Sequence, residues 1–250
     1  LVFMQYLIDN VRSKIDFDIV GDLPSKNIDT GMGMERVAFL KQGVENMYEI
    51  DQVRPVLDAA SELSGRAYGA NGEDDVRMRV IADHIRSSLM LMTDGVVPSN
   101  EGRGYVLRRL LRRSIRSIRL LGVEEATFPV LFAASRDAMA PAYPEVAAEF
   151  DRVSGLVEAE ESSFLKTLEA GTSILDLAVS ETQGSGSATL SGDTAFLLHD
   201  TYGFPIDLTL EMAEEAGLTV DRDSFAELMQ QQRSRAKVDA KSKKSLRADV

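Results

Sequence analysis

Residues 103 to 121 read Arg103-Gly104-Tyr105-Val106-Leu107-Arg108-Arg109-Leu110-Leu111-Arg112-Arg113-Ser114-Ile115-Arg116-Ser117-Ile118-Arg119-Leu120-Leu121, and their spacing decides the fold class. Leu107, Leu110, Leu111, Ile115 and Ile118 recur at three-and-four intervals, which predicts a helix with one apolar stripe and arginines projecting from the other side. Gly122 ends it. The same period holds upstream in Val80, Ile81, His84, Ile85, Ser88, Leu89 and Met92, a stripe that stops near Gly95 and Pro98. Before that, Asp51 is expected to cap a helix carrying Val53, Val56, Leu57, Ala60 and Leu63, with Pro55 in its first turns and Gly65 at its end.

Downstream, a long amphipathic segment is predicted from about 145 to 182, and the cluster Gln183-Gly184-Ser185-Gly186-Ser187 marks a turn. A short helix over 193–200 is expected to break at Thr201-Tyr202-Gly203-Phe204-Pro205, and another helix then runs to about Gly217. From Ser224 the chain reads as helix, then as a Lys- and Arg-rich linker over 237–247. Only residues 1 to 40 differ in kind. There, two strand-like runs flank a polar loop holding Gly21, Pro24 and Ser25, and the second leads through Gly31 and Gly33 into a helix at Glu35. The expected fold is mainly α with a short N-terminal β/α part, divided as 1–48, 49–220 and 221–250.

Composition bounds the chemistry. With 44% hydrophobic residues in 250, the chain can bury a proper core. There is no cysteine, so disulfides and thiolate metal sites are excluded, and His84 and His199 alone do not make a zinc site. A reduced cytoplasmic protein is expected, with neither a membrane nor DNA as partner. The chain opens at Leu1 within the apolar run Leu1-Val2-Phe3-Met4-Gln5-Tyr6-Leu7-Ile8, which reads as a fragment.

The net charge is −12, yet the seven arginines at 103, 108, 109, 112, 113, 116 and 119 stand without an acid among them, leaving −19 on the rest. A basic stripe on an acidic body suggests an anionic partner met in one orientation, against the plainer reading of a solvated helix face. The short supply of acids in the flanking sequence favours the former.

Three strings carry candidate chemistry. In Asp29-Thr30-Gly31-Met32-Gly33-Met34-Glu35-Arg36, glycines two apart on a strand would bare one face for a flat ligand, and an arginine one helical turn on would reach its phosphates. A bare Gly-x-Gly is common in turns, and the Glu-Arg at fixed offset is what makes it informative. The second string is Val97-Pro98-Ser99-Asn100-Glu101-Gly102-Arg103-Gly104-Tyr105-Val106-Leu107-Arg108-Arg109, where Asn100 sits at a helix start and has N-capping as its ordinary role. The third is Leu198-His199-Asp200-Thr201-Tyr202-Gly203-Phe204-Pro205-Ile206-Asp207-Leu208-Thr209, where Asp200 has turn or capping duty as the commoner fate. His84, on an apolar helix face, reads as a satisfied core histidine bonded to Asp83 or a neighbouring helix.

The first string resembles motif 3 of class II aminoacyl-tRNA synthetases in its alanyl form, and the other two resemble the acceptor-stem-reading segments of the alanyl-tRNA synthetase family. The resemblance implies a helical tRNA-recognition domain preceded by a remnant of the antiparallel-sheet catalytic domain. It implies alanine activation by ATP with Mg2+, then transfer to tRNA(Ala). By it, Arg36 would contact the ATP triphosphate and Gly33 the adenosine, Asp29 and Gly31 would hold the alanine amino group, and Val2 would line the alanine pocket. Asn100 and Asp200 would read the two halves of a G·U pair in the acceptor stem, and Arg103, Arg108, Arg109, Arg112, Arg113 and Arg116 would include its phosphate contacts. His199 departs from the aromatic residue expected before the aspartate. Motifs 1 and 2 would precede Leu1, and a zinc-binding editing domain would follow Val250. The fragment alone is expected to bind the stem weakly without forming adenylate. A catalytically inert RNA-binding paralogue and a helical module for an acidic protein remain the alternatives.

Overall fold

A computed structural model of the chain describes residues 2–29, 31–232 and 234, with the side chains of 2–4, 26, 28 and 29 outside the description. The chain divides into two compact units, Leu1–Ile50 and Asp51–Val250.

In the first unit, β1 (Val2–Asp9) pairs antiparallel with β2 (Asp18–Asp29), from Val2 opposite Asp29 to Asp9 opposite Asp18. The turn is closed by polar side chains. Arg12 reaches Asp16 at 2.8 Å and Asp18 at 2.9 Å, and the Asn10 amide donates to Asp18 at 2.9 Å. Asn10 has φ 47°, a region asparagine tolerates better than most residues. The expected loop at Gly21, Pro24 and Ser25 is corrected: these residues lie inside β2, and the loop falls earlier, between Asp9 and Asp18. Pro24, which has no N–H to give a ladder, sits where the register shifts between Met4 and Tyr6. Tyr6, Leu7, Ile8, Ile19 and Val20 are all exposed, and since neighbours along a strand point to opposite faces, both faces of the hairpin present apolar surface. Helix α1 (Met34–Gln42) follows and ends at Gly43 in the left-handed conformation.

The second unit is built from helices, as the periodicity predicts. α2 (Arg54–Ser64) begins after Val53, so Asp51 does not cap it; Pro55 occupies the first turn, where its missing N–H costs nothing. α3 (Gly72–Thr93) is capped by the Asn71 side chain, which accepts from Glu73 N at 2.9 Å, and buries Met78, Ile81, Ile85, Leu89 and Met92. α4 (Gly102–Leu120) lays Leu107, Leu111, Ile115 and Ile118 against the core. α5 (Phe128–Met139) adds Phe128 and Phe132, stacked edge to face at 5.2 Å. After the short α6 (Pro144–Ala148), the long α7 (Phe150–Gly184) crosses the unit and buries Val153, Val157, Phe164 and Leu175.

Beyond α7 come β3 (Thr189–Leu190), α8 (Gly192–Tyr202), α9 (Ile206–Glu215) and β4 (Thr219–Val220), with β3 and β4 pairing in parallel. α8 runs through Thr201 and Tyr202 and stops at Gly203, two residues later than its sequence suggests. A further helix, α10, covers residues 222–232; the predicted linker over 237–247 lies outside the described residues.

Candidate functional site

The basic helix is the place to begin. The prediction that its arginines project away from the protein is corrected: Arg112 and Arg116 are buried, and five of the seven pair with the chain's own acids. Asp207, Glu211 and Glu215 recur every fourth residue on α9. They meet Arg109 at 2.8 Å, Arg113 at 3.2 Å and Arg116 at 3.3 Å from Glu211, with Arg116 also on Glu215. Both series ascend together, so α4 and α9 run the same way, joined by a ladder of ion pairs. Arg119 instead donates to the Val123 carbonyl at 3.2 Å. Arg103 is exposed. The acids were missed because they lie between 48 and 99 positions on in the chain, where no local window finds them.

Where α4 begins, the chain folds back on itself. Ser99 N donates to the Gly104 carbonyl at 3.1 Å, and a Cβ at Gly104 would meet Ser99 Oγ at 2.2 Å and the Val97 carbonyl at 2.4 Å, so only glycine fits. This turn places Asn100 on the surface, two residues before the helix. Glu101 is the N-cap residue, and no side chain caps there, so the ordinary capping role of Asn100 is not the one observed. Its amide oxygen accepts from Arg108 Nη1.

Asp200 is exposed on the last turn of α8 and accepts from the Gln232 amide of α10. Gly203 then ends the helix with φ 65°, and a Cβ there would lie 2.5 Å from Arg112 Nη1, which donates to the Gly203 carbonyl. Glycine is required twice over, by the backbone and by the guanidinium against it.

Asn100 and Asp200, a hundred positions apart, line one open cleft of about 1030 Å³. Tyr105, Arg108 and Arg112 of α4 also line it, with Glu101 before that helix, His199 of α8, and Phe225, Met229 and Gln232 of α10. Burial, then the Asp207 carboxylate, pushes the Tyr105 phenol above its ordinary value, so it stays a neutral donor at neutral pH. Tyr105, Phe225, Met229 and Gln232 had no signal in the sequence, because what unites them is where α4, α8 and α10 meet. His84 lies away from this cleft's lining, bonded through Nδ1 to Asp83 at 2.9 Å, and that bond draws the Asp83 carboxyl below its usual range.

In the first unit, Gly31 and Gly33 are not on the strand as expected; they form the exposed link between β2 and α1. Arg36 is exposed on the first turn of α1, and its Cγ and Cδ lie 3.3 Å from where a Cβ at Gly33 would stand. Val2 and Asp29 are ladder partners by backbone, and their side chains lie outside the described residues. Among the described residues there is no group of three or more His, Asp or Glu placed to hold a metal ion, and no helix is long and apolar enough to cross a membrane.

Comparison with known sequences matches residues 1–250 to the family described as tRNA synthetases class II (A). The chain belongs to that family. It is 71% identical over its whole length to an alanine-tRNA ligase of Clavibacter michiganensis subsp. michiganensis, 70% to one of Clavibacter sepedonicus and 62% to one of Kineococcus radiotolerans. In each case it spans 28% of the relative's length. The mainly α fold with a short N-terminal β/α part, expected from the sequence, is the one this class II chain has.

Proposed function

We propose that the chain serves the joining of alanine to tRNA, and that the cleft between α4, α8 and α10 receives the acceptor stem of tRNA(Ala) at a G·U pair. The supporting observation is that an exposed amide, Asn100, and an exposed carboxylate, Asp200, line one cleft together with Arg108 and Arg112. A wobble pair shifts both bases and leaves the guanine amino group without a partner in the wide, shallow minor groove of an A-form stem. A carboxylate accepts from that amino group, while an amide both donates and accepts beside it. Arg103, exposed at the start of α4, and the outer edges of Arg108, Arg109 and Arg113 supply cations for the flanking phosphates. Arg112, sunk in an ion pair, acts by shaping the cleft, and Arg116, sunk likewise, ties α4 to α9.

In the same reading Arg36 stabilises phosphate charge on ATP, Gly33 gives the adenosine a bare surface, and Asp29 and Gly31 hold the alanine ammonium beside Val2. Mg2+ would arrive with the ATP phosphates, and Arg36 is the phosphate-facing cation in this reading. A cytoplasmic location follows from the role. The alternative of a helical module for an acidic protein is disfavoured by the ladder, since most of the stripe already has acidic partners.

The test is filter binding of the 250-residue chain to a G·U minihelix and to its G·C counterpart at one salt concentration. The G·U form should bind about tenfold tighter or more, as one good base contact is worth about 1–3 kcal/mol. Asn100→Ala and Asp200→Ala should each bring the two affinities together. Equal affinities for the unaltered chain would end the proposal.

A further inference from the structure

Glu160 lies on α7, far in sequence from both Asn100 and Asp200, and its side chain is 8% exposed. Its carboxylate holds two arginines at once: Arg108 Nε at 3.2 Å, and Arg112 through Nε at 2.8 Å and Nη2 at 2.7 Å. Each arginine spends another N–H on one side of the cleft. Arg108 Nη1 donates to the Asn100 amide oxygen, and Nη2 to the Pro98 carbonyl at 3.4 Å, gripping the turn that carries Asn100. Arg112 Nη1 donates to the carbonyl of Gly203, which terminates the helix that carries Asp200. The Phe164 ring lies 4.7 Å from the Arg112 guanidinium carbon, so that fork is held by a ring as well as by a carboxylate.

We infer that Glu160 is a positioning residue for base-pair selection: through Arg108 and Arg112 it fixes the separation and bearing of Asn100 and Asp200. The inference rests on the reading of the cleft as an acceptor-stem site. Its physical basis is the planar fork of arginine, which can bind a carboxylate on one edge and still aim another N–H along a fixed direction. Two forks on one buried anion make a rigid bracket. Two surface side chains without that support would lose the alignment that discrimination demands.

A merely structural Glu160 would change how much protein is folded, which scales the binding of every RNA alike. The readout is therefore the ratio of G·U to G·C affinity, measured by filter binding of the full chain and its variants at fixed salt, with folding followed by circular dichroism. Glu160→Gln should cut the ratio about tenfold, equivalent to about 1.4 kcal/mol, and Glu160→Asp, which keeps the anion, should restore part of it. A folded Glu160→Gln chain with the unaltered ratio overturns the inference. Where Glu160→Gln does not fold, Arg112→Lys takes its place: it keeps a cation beside Glu160 but has no second arm for Gly203, so a reduced ratio supports the bracket and an unaltered one overturns it. Absence of any preference in the unaltered chain overturns the reading of the cleft itself, and this inference with it.

Discussion

Glu160 and its neighbour Glu161 show how one helix step separates two buried acids into different tasks. Glu161 faces the start of α5, where its carboxylate accepts from Thr127 N at 2.8 Å, Thr127 Oγ1 at 3.1 Å and Phe128 N at 3.1 Å, capping that helix from a distant element. Burial nonetheless outweighs these bonds and holds the Glu161 carboxyl above its ordinary 4.5. A carboxyl raised in the folded state contributes its full stability below 4.5, and that contribution is lost as the pH rises through the raised folded value. Glu161→Gln keeps an acceptor oxygen and has no charge to bury. Its melting temperature relative to the unaltered chain should therefore climb between pH 4.5 and 8; a difference that stays flat across that range would show that burial does not govern this group. Gly203 invites a second substitution. Gly203→Ala forces a Cβ into left-handed backbone, at about 1–2 kcal/mol, and against Arg112, and urea unfolding should register at least that loss.

The elements differ sharply in how they are supported. α3 and α4 are fully sealed along one face, whereas the β1–β2 hairpin leaves apolar residues bare on both of its faces. An isolated hairpin is marginal in water. Hydrogen exchange should accordingly find the amides of β1 and β2 exchanging orders of magnitude faster than those of α3 and α4; comparable protection would mean that the hairpin is held by more than its own ladder. The α4–α9 ladder is a different kind of support. Glu211 and Glu215 are more than a third exposed, so each pair adds little by itself, and what the series does is set which way α9 faces.

Across the molecule, the net −12 conceals a stripe that is largely neutralised inside the fold. Binding of RNA should therefore weaken only gently with salt, with a log–log slope of about −1 to −3, since each phosphate neutralised contributes about −0.7 to −0.9. Seven free arginines would give about −5 to −6, and a measured slope that steep would mean the arginines abandon their acids on binding. The helices were legible because Leu107, Leu111 and Ile115 repeat with the helical period and because Gly65 and Gly203 stop the chain where a left-handed residue is needed. Legible too were Asn100 and Asp200 as residues to watch, through the strings around them. The partners of the arginines were not, since a pairing between positions 109 and 207 leaves no mark on either local pattern. Nor were β3 and β4, whose two residues each are too short to show a period. Pro24 misled because it marks a turn in most settings and here marks a bulge.

The ladder has a consequence for synthesis of the chain. Asp207 follows Arg109 by 98 residues, and Glu215 comes later still. At about 5–20 residues per second, roughly 5–20 seconds pass between translation of the basic helix and arrival of its counter-ions. Glu160 arrives about halfway to take Arg108 and Arg112, while Arg109, Arg113 and Arg116 wait for α9 to supply the acids that pair with them in the folded chain.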